Sequence, residues 1–227
     1  MEDDFSIVVK FFRLSSALEP YFTALYQFDF DGPAGLFTED HLHPEWAIMR
    51  FSQGTPPIAS IGPGPLQPQW PFVVSGPTSK SIHFGVTRSR IWGLGLLPTG
   101  WARFVDAPAR DFADRTVDGT ADPVFSLFAP ILDIANAPAQ SAEATALRIN
   151  AYLLMQLRGP QRLEPQVLAL QQALRDPEVG HVATLAERVG LGARSLERLC
   201  ARYFGFPPKQ LLRRQRLYLK RSHKGMY

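Results

Sequence analysis

The 227-residue chain carries 24 Lys/Arg against 21 Asp/Glu, a formal +3, and its 45% hydrophobic content is normal for one large or two modest packed domains. Its single cysteine, Cys200, excludes an intramolecular disulfide and a cysteine-based zinc cluster. No run approaches the ~18 consecutive apolar residues of a membrane helix, and MEDDFSIVVK lacks the basic-then-apolar pattern of a secretion signal, so a cytoplasmic protein with no membrane partner is expected.

From residue 1 to about 98 the chain reads as β. SIVVKFF, ALYQFDF, WAIMRFS, FVVSG, SIHFGVT and IWGLGLL are short segments rich in aromatic and β-branched residues, separated by Gly/Pro clusters. Between Gly54 and Pro77, seven prolines and four glycines rule out long helices and predict tight loops between strands. Several short strands with such turns predict a barrel or sandwich. Inside this region, GLFTEDHLHPEW sets His41, His43 and Glu45 at alternate positions, on one face if the segment is a strand. Histidine and carboxylate on one β face is how a barrel holds a metal, and His83 is the further ligand candidate. Pro44 interrupts the alternation. Polar histidines at a loop edge are therefore the preferred reading, and no metal or cofactor is expected.

Thr99 follows Pro98 and is expected to cap a short helix, GWARFVDA. DAPARDFADR gives another short helical turn. From Pro123 to Gly159, VFSLFAPILDIANA and SAEATALRINAYLLMQLRG read as helices, with Leu147, Ile149, Tyr152, Leu153 and Leu157 at helical spacing. This connector either pairs two chains or packs within one. A boundary is expected at Gly159-Pro160-Gln161-Arg162.

VATLAERVGLGARSLERLCA, Val182 to Ala201, then reads as two helices broken at Gly190. Leu185, Val189, Leu196 and Leu199 share the inner faces, Ala186 sits at the crossing, and Leu191 plugs the turn. Gly190 supplies the positive φ that ends the first helix. This is the layout of a helix-turn-helix. The outer face of its second helix carries Arg194, Ser195, Glu197, Arg198 and Ala201, with Arg202 close by, and in such motifs that face lies in the DNA major groove. Cys200 falls in this helix as a small buried hydrophobe. From Arg188 to Tyr227 there are 11 Lys/Arg and one acid, a formal +10, while the remainder holds 13 Lys/Arg and 20 Asp/Glu, a formal −7. A basic end on an acidic body is the asymmetry of a nucleic-acid-binding tail.

LAERVGLGARSLERLCARYFGFPPKQLLRRQRL, with the leading helix LEPQVLALQQAL, resembles the first half of the DNA-binding domain of AraC-type (AraC/XylS family) transcriptional regulators. Upstream, GPTSKSIHFGVTRSRIWGLGLLPTGWARFVDAPARDFADRTVDG is similar to the N-terminal sensor region of some AraC-type proteins. The resemblance implies an α+β chain. Residues 1–122 would be a β-rich sensor of barrel or sandwich form, 123–160 a helical connector and 161–227 the helix-turn-helix region. It implies double-stranded DNA as partner, a small-molecule effector, and a homodimer formed through the sensor or the connector. DNA contacts would come from Arg194, Ser195, Glu197 and Arg198 toward bases and from Arg202, Arg213 and Arg214 toward phosphates. Family members carry two helix-turn-helix units joined by a long helix, here Pro208 to about Arg221. Only Ser222 to Tyr227 follow, so half of the domain and weakened DNA binding are expected.

Gly35-x5-His41-x-His43 also resembles the first motif of metal-binding cupins, which gives the alternative of a cupin-like metal-binding enzyme, or small-molecule-binding protein, with a basic tail. The acid follows the second histidine too closely, and no later histidine has the expected glycine and proline setting. With no nucleophile elbow, phosphate loop or dinucleotide fingerprint, the chain is not expected to be an enzyme.

Overall fold

Two antiparallel sheets and a set of helices account for residues 5–138, 141–157 and 164–222, which the computed structural model describes, with side chains as far as Gln215. In chain order the strands are β1 (Ser6–Phe12), β2 (Phe22–Asp31), β3 (Thr38–Leu42), β4 (Ala47–Gln53), β5 (Ile58–Ile61), β6 (Gln67–Pro68), β7 (Phe72–Ser75), β8 (Ile82–Val86), β9 (Ser89–Leu96) and β10 (Thr116–Asp118). Six of them form one sheet, β1-β2-β9-β4-β7-β10, and four form the other, β3-β8-β5-β6. The helices are α1 (Pro98–Phe104), α2 (Pro130–Asn136), α3 (Ala142–Gln156), α4 (Pro165–Ala173), α5 (Val182–Val189), α6 (Ala193–Tyr203) and α7 (Pro208–Ser222). The β-rich part followed by helices is an α+β arrangement, as expected. The Gly/Pro stretch contains three short strands: β7, expected from FVVSG, and β5 and β6, which were not expected. Pro68 is tolerated because β6 is an edge strand, where no neighbour needs its missing N–H.

Successive side chains of a strand point to opposite faces, and the six-stranded sheet uses its faces differently. Leu25, Met49, Val74, Trp92 and Leu94 face one way and share an apolar core with Trp101, Phe125, Phe128, Ile131, Ile149 and Leu153 from the helical segments after β9. Tyr26, Ile48, Arg50, Val73 and Ile91 face the other way, into a cavity whose opposite wall includes Ile82 and Phe84 of the four-stranded sheet.

Thr99 does not cap α1. Pro98, with its φ fixed near the helical value, takes the first helical position, and Leu97 is the flanking residue. One residue into the helix, Thr99 turns its hydroxyl to the Pro20 carbonyl, and its backbone N–H donates to the Gln171 side-chain oxygen of α4 (3.4 Å).

Ile149 and Leu153 of α3, with Leu157 just past its end, pack into the sheet's core, so this stripe is used within the chain. Asn150 adds a polar clamp, accepting from the Ser15 N–H (3.2 Å) and donating to the Arg13 carbonyl (3.1 Å). Leu147, placed with that stripe by spacing, is instead 71% exposed. It lies two residues before Ile149, a rotation of about 200° on a helix. The boundary expected at Gly159–Arg162 lies outside the described residues.

The helices α4 to α7 build a second apolar core from Leu170, Leu185, Leu196, Cys200, Phe204 and Leu211. Trp46, Ala102 and Ala113 from the β-rich part pack against it. Leu196 is fully buried at its centre. Leu196→Ala is expected to cost about 2–5 kcal/mol. Hydrogen exchange should register lost protection over residues 164–222 with β2, β4 and β9 still protected; equal loss in both regions would mean the two cores unfold as one.

Candidate nucleic-acid interface and internal cavity

The α5–α6 pair follows from its sequence spacing. Gly190 ends α5 in the left-handed region (φ 69°, ψ 36°), where an L side chain is disfavoured. The next N–H, of Leu191, donates back to the Ala186 carbonyl at 3.0 Å and closes the helix end. Gly192 is extended (φ −71°, ψ 157°) and starts α6 two residues later. Leu185 and Val189 of α5, with Leu196 and Cys200 of α6, are buried between the helices and their neighbours.

The opposite face of α6 is open. Arg194, Glu197 and Arg198 are exposed and Ser195 is half-buried. Arg202 is exposed at the end of the helix, but its guanidinium already has local partners: Asp106 at 4.0 Å and the Tyr203 hydroxyl at 3.1 Å. The pair expected to share a phosphate role in α7 divides. Arg213 is exposed, whereas Arg214 turns inward, its guanidinium carbon 4.0 Å from the centre of the Trp46 ring. Neighbours in a helix are rotated by about 100°, so adjacent arginines cannot share one face; Trp46 captures the second by a cation–π contact.

A second feature was not legible as a site from the residues. Between the two sheets lies a cavity of ≈750 Å³, walled by Tyr26, Phe28, Ile48, Ile82, Phe84 and Ile91 and bounded by Gln171, Leu174 and Arg175 of the α4 end and by Arg214 and Gln215 of α7. Its one nearly buried cation among the described lining residues is Arg50, in the middle of β4. Arg50 donates to Glu45 at 2.8 Å and to the Ser75 hydroxyl at 3.4 Å. Burial opposes its charge, but Tyr26 and Glu45 outweigh that effect and hold the guanidinium above its ordinary pKa. The available sequence signal was an arginine inside AIMRFS, where a buried charge demands a partner, with Glu45 five residues upstream.

Glu45 is therefore committed to Arg50, and the His41, His43, Glu45 trio does not act as a unit. Only His41 of the three lies within β3, which ends at Leu42. Directly opposite in the register is His83, and the two rings stack at 4.4 Å, 1° from parallel. His83 also meets Glu39 at 2.7 Å. Among the described residues, no group of three or more His, Cys, Asp or Glu is arranged to hold a metal ion. No helix among them is long and apolar enough to cross a membrane.

No protein-family model and no curated protein matches the chain. Among solved structures the chain is similar to the AraC-like transcriptional activator CuxR, over 94% of this chain and 86% of that one, with 10% identity and a TM-score of 0.36.

Cys200 is fully buried in α6. Burial, with a smaller contribution from the Glu197 charge, pushes its thiol from 9.0 up to about 12. A group whose folded pKa is raised stabilises the fold fully below its unfolded value and ceases to do so as pH rises through the folded one. Its contribution should thus fade from about pH 9 toward 12. At pH 8 a thiol reagent should modify Cys200 only in denaturant; rapid modification of the native protein would mean the α6 core opens readily.

Proposed function

We propose that this chain is a DNA-binding transcriptional regulator of AraC type, in which α5 and α6 act as a helix-turn-helix and the β-rich part holds a small-molecule effector. The observation that carries the reading is the α5–α6 pair: a left-handed Gly190 between two helices whose apolar faces are buried, leaving Arg194 and Arg198 exposed on one side of α6. A major groove admits a helix of this kind, N-terminal residues first. Arg194 and Arg198 read base edges, Ser195 and Glu197 tune that reading, and Arg213 bears on phosphate. Arg202 joins them when it exchanges Asp106 for a phosphate. Arg214, over Trp46, ties α7 to the β-rich part instead.

In the alternative, a cupin-like metal enzyme, Glu45 would have to leave Arg50 to become a ligand, stranding a buried guanidinium. Nothing in the geometry favours that exchange.

The exposed side of α3 supports the expected homodimer. Leu147, Leu154 and Met155 lie exposed on the face turned away from the core, with Leu147 and Leu154 a heptad apart. Leu147→Glu with Leu154→Glu should leave a monomer in sedimentation equilibrium where the unchanged chain is a dimer; a monomeric unchanged chain would remove α3 as the pairing face.

DNA reading is tested by binding to preferred and random duplexes across a salt series. Arg198→Ala should lose about 1–3 kcal/mol of discrimination with little change on random duplex. Arg213→Ala should weaken all duplexes alike and lower the salt slope by about 1. Binding unchanged by both substitutions would refute α6 as the reading helix.

A further inference from the structure

The cavity between the sheets holds a charged side chain away from water without filling the space around it. Arg50 has a side chain only 10% exposed and lines the ≈750 Å³ space, a size suited to a small organic ligand. A guanidinium has five N–H donors. Among the described residues its acceptors are Glu45 at 2.8 Å, Ser75 at a long 3.4 Å, and the Tyr26 side chain. Donors remain for a further acceptor, and a planar carboxylate is the group that best matches this fork.

The remaining lining defines the body and the charge balance. Phe28, Phe84 and Ile91 offer apolar and aromatic walls. Glu45 already balances Arg50, so an incoming anion needs a second cation, and the exposed Arg175 at the α4 end of the cavity supplies one. The other acids of the lining, Glu39 and Asp40, sit on β3. Glu39 meets His83, and Asp40 accepts the backbone N–H of His41.

We propose that this cavity binds a carboxylate carried on an apolar body, its head on Arg50 and its body against Phe28 and Phe84. The proposal rests on the reading of the β-rich part as the effector-holding half, and it names the effector's chemical class. Gln171 and Leu174 line the same space as Arg50, so such a ligand touches both the sheet and the helices that carry α6.

The test is calorimetric titration of the full chain with decanoate and 2-naphthoate, each beside its neutral amide, and with decylamine. At least one acid should bind 10-fold or more tighter than its amide, and decylamine should bind more weakly than decanoate. The two acids distinguish an aliphatic from an aromatic body. Arg50→Met combined with Glu45→Leu removes both charges together and should abolish the preference for acid over amide. Arg50→Lys keeps the charge without the fork and should reduce it, which guards against unfolding of the double variant. Ala59→Phe, filling the cavity, should weaken every compound. Equal binding of acid and amide, tighter binding of the amine, no binding of either acid, or a preference that survives both Arg50 exchanges would each overturn the proposal. None of these readouts involves DNA, so α6 could fail as a reading helix and leave this result intact, and the reverse also holds.

Discussion

Strand β9 lies third in the six-stranded sheet and must satisfy opposite demands on its two faces. Toward the helices it presents Trp92, Leu94 and Leu96, all buried in the main core. Toward the cavity it presents Ile91, Gly93 and Gly95. Gly93 is paired with Tyr26 on one side and Arg50 on the other. A Cβ there would stand 2.1 Å from Cζ of Tyr26, so only glycine lets the ring lie across the strand. The aromatic side chain can then reach Arg50, which Glu45 holds from the other direction. The space that side chains at Gly93 and Gly95 would need is taken by Tyr26 and Thr23, while the large residues alternating with the two glycines keep the strand anchored. A period-two alternation of bulk thus sets both the core and the seat of Tyr26 in the cavity wall.

Trp46, just before β4, is where this arrangement meets the C-terminal helices. Its ring packs edge-on to Phe204 at the end of α6 (5.8 Å between centroids) and lies under Arg214 of α7. Glu45, its neighbour, is held by Thr78 through its backbone N–H and grips Arg50 through its carboxylate. Two consecutive residues therefore connect the cavity floor to the packing of α6 and α7. Thr99 and Gln171 make a second junction between α1 and α4. Helix α6, which exposes Arg194 and Arg198, is thus joined to the cavity wall through Phe204 at its end, which packs on Trp46.

Much of the α5–α6 pair was legible from residues alone. Gly190, Leu185, Val189 and Leu196 have local meanings: a turn that needs positive φ, and a helical face that needs burial. The six strands read in SIVVKFF, ALYQFDF, WAIMRFS, FVVSG, SIHFGVT and IWGLGLL were legible for the same reason, whereas β3, whose His41 was read as a loop-edge residue, was not. Strands β5 and β6 inside the Gly/Pro stretch were not legible either, because β5 exists through pairing with β8, a partner distant in sequence. Thr99 and Leu147 were misplaced by local rules that others overrode: Pro98 claimed the first helical position, and the core chose the α3 face bearing Ile149 and Leu153. The cavity has no signature within a single segment, and the arginine of AIMRFS with Glu45 five residues upstream signals a charge pair but not the space it lines.

The sequence by itself determined where the chain alternates with period two, where it turns helical, and that its last third is basic, since these depend on neighbours within a few residues. Tertiary structure alone decided that Arg213 faces outward while Arg214 lies on Trp46, that Glu45 belongs to Arg50 rather than to His41 and His43, and that two sheets flank an apolar space lined by the nearly buried Arg50. The physical reason is that burial and charge pairing are properties of surfaces that meet. Which surfaces meet is set by register and packing between segments far apart in the chain, and no local window of residues contains that information.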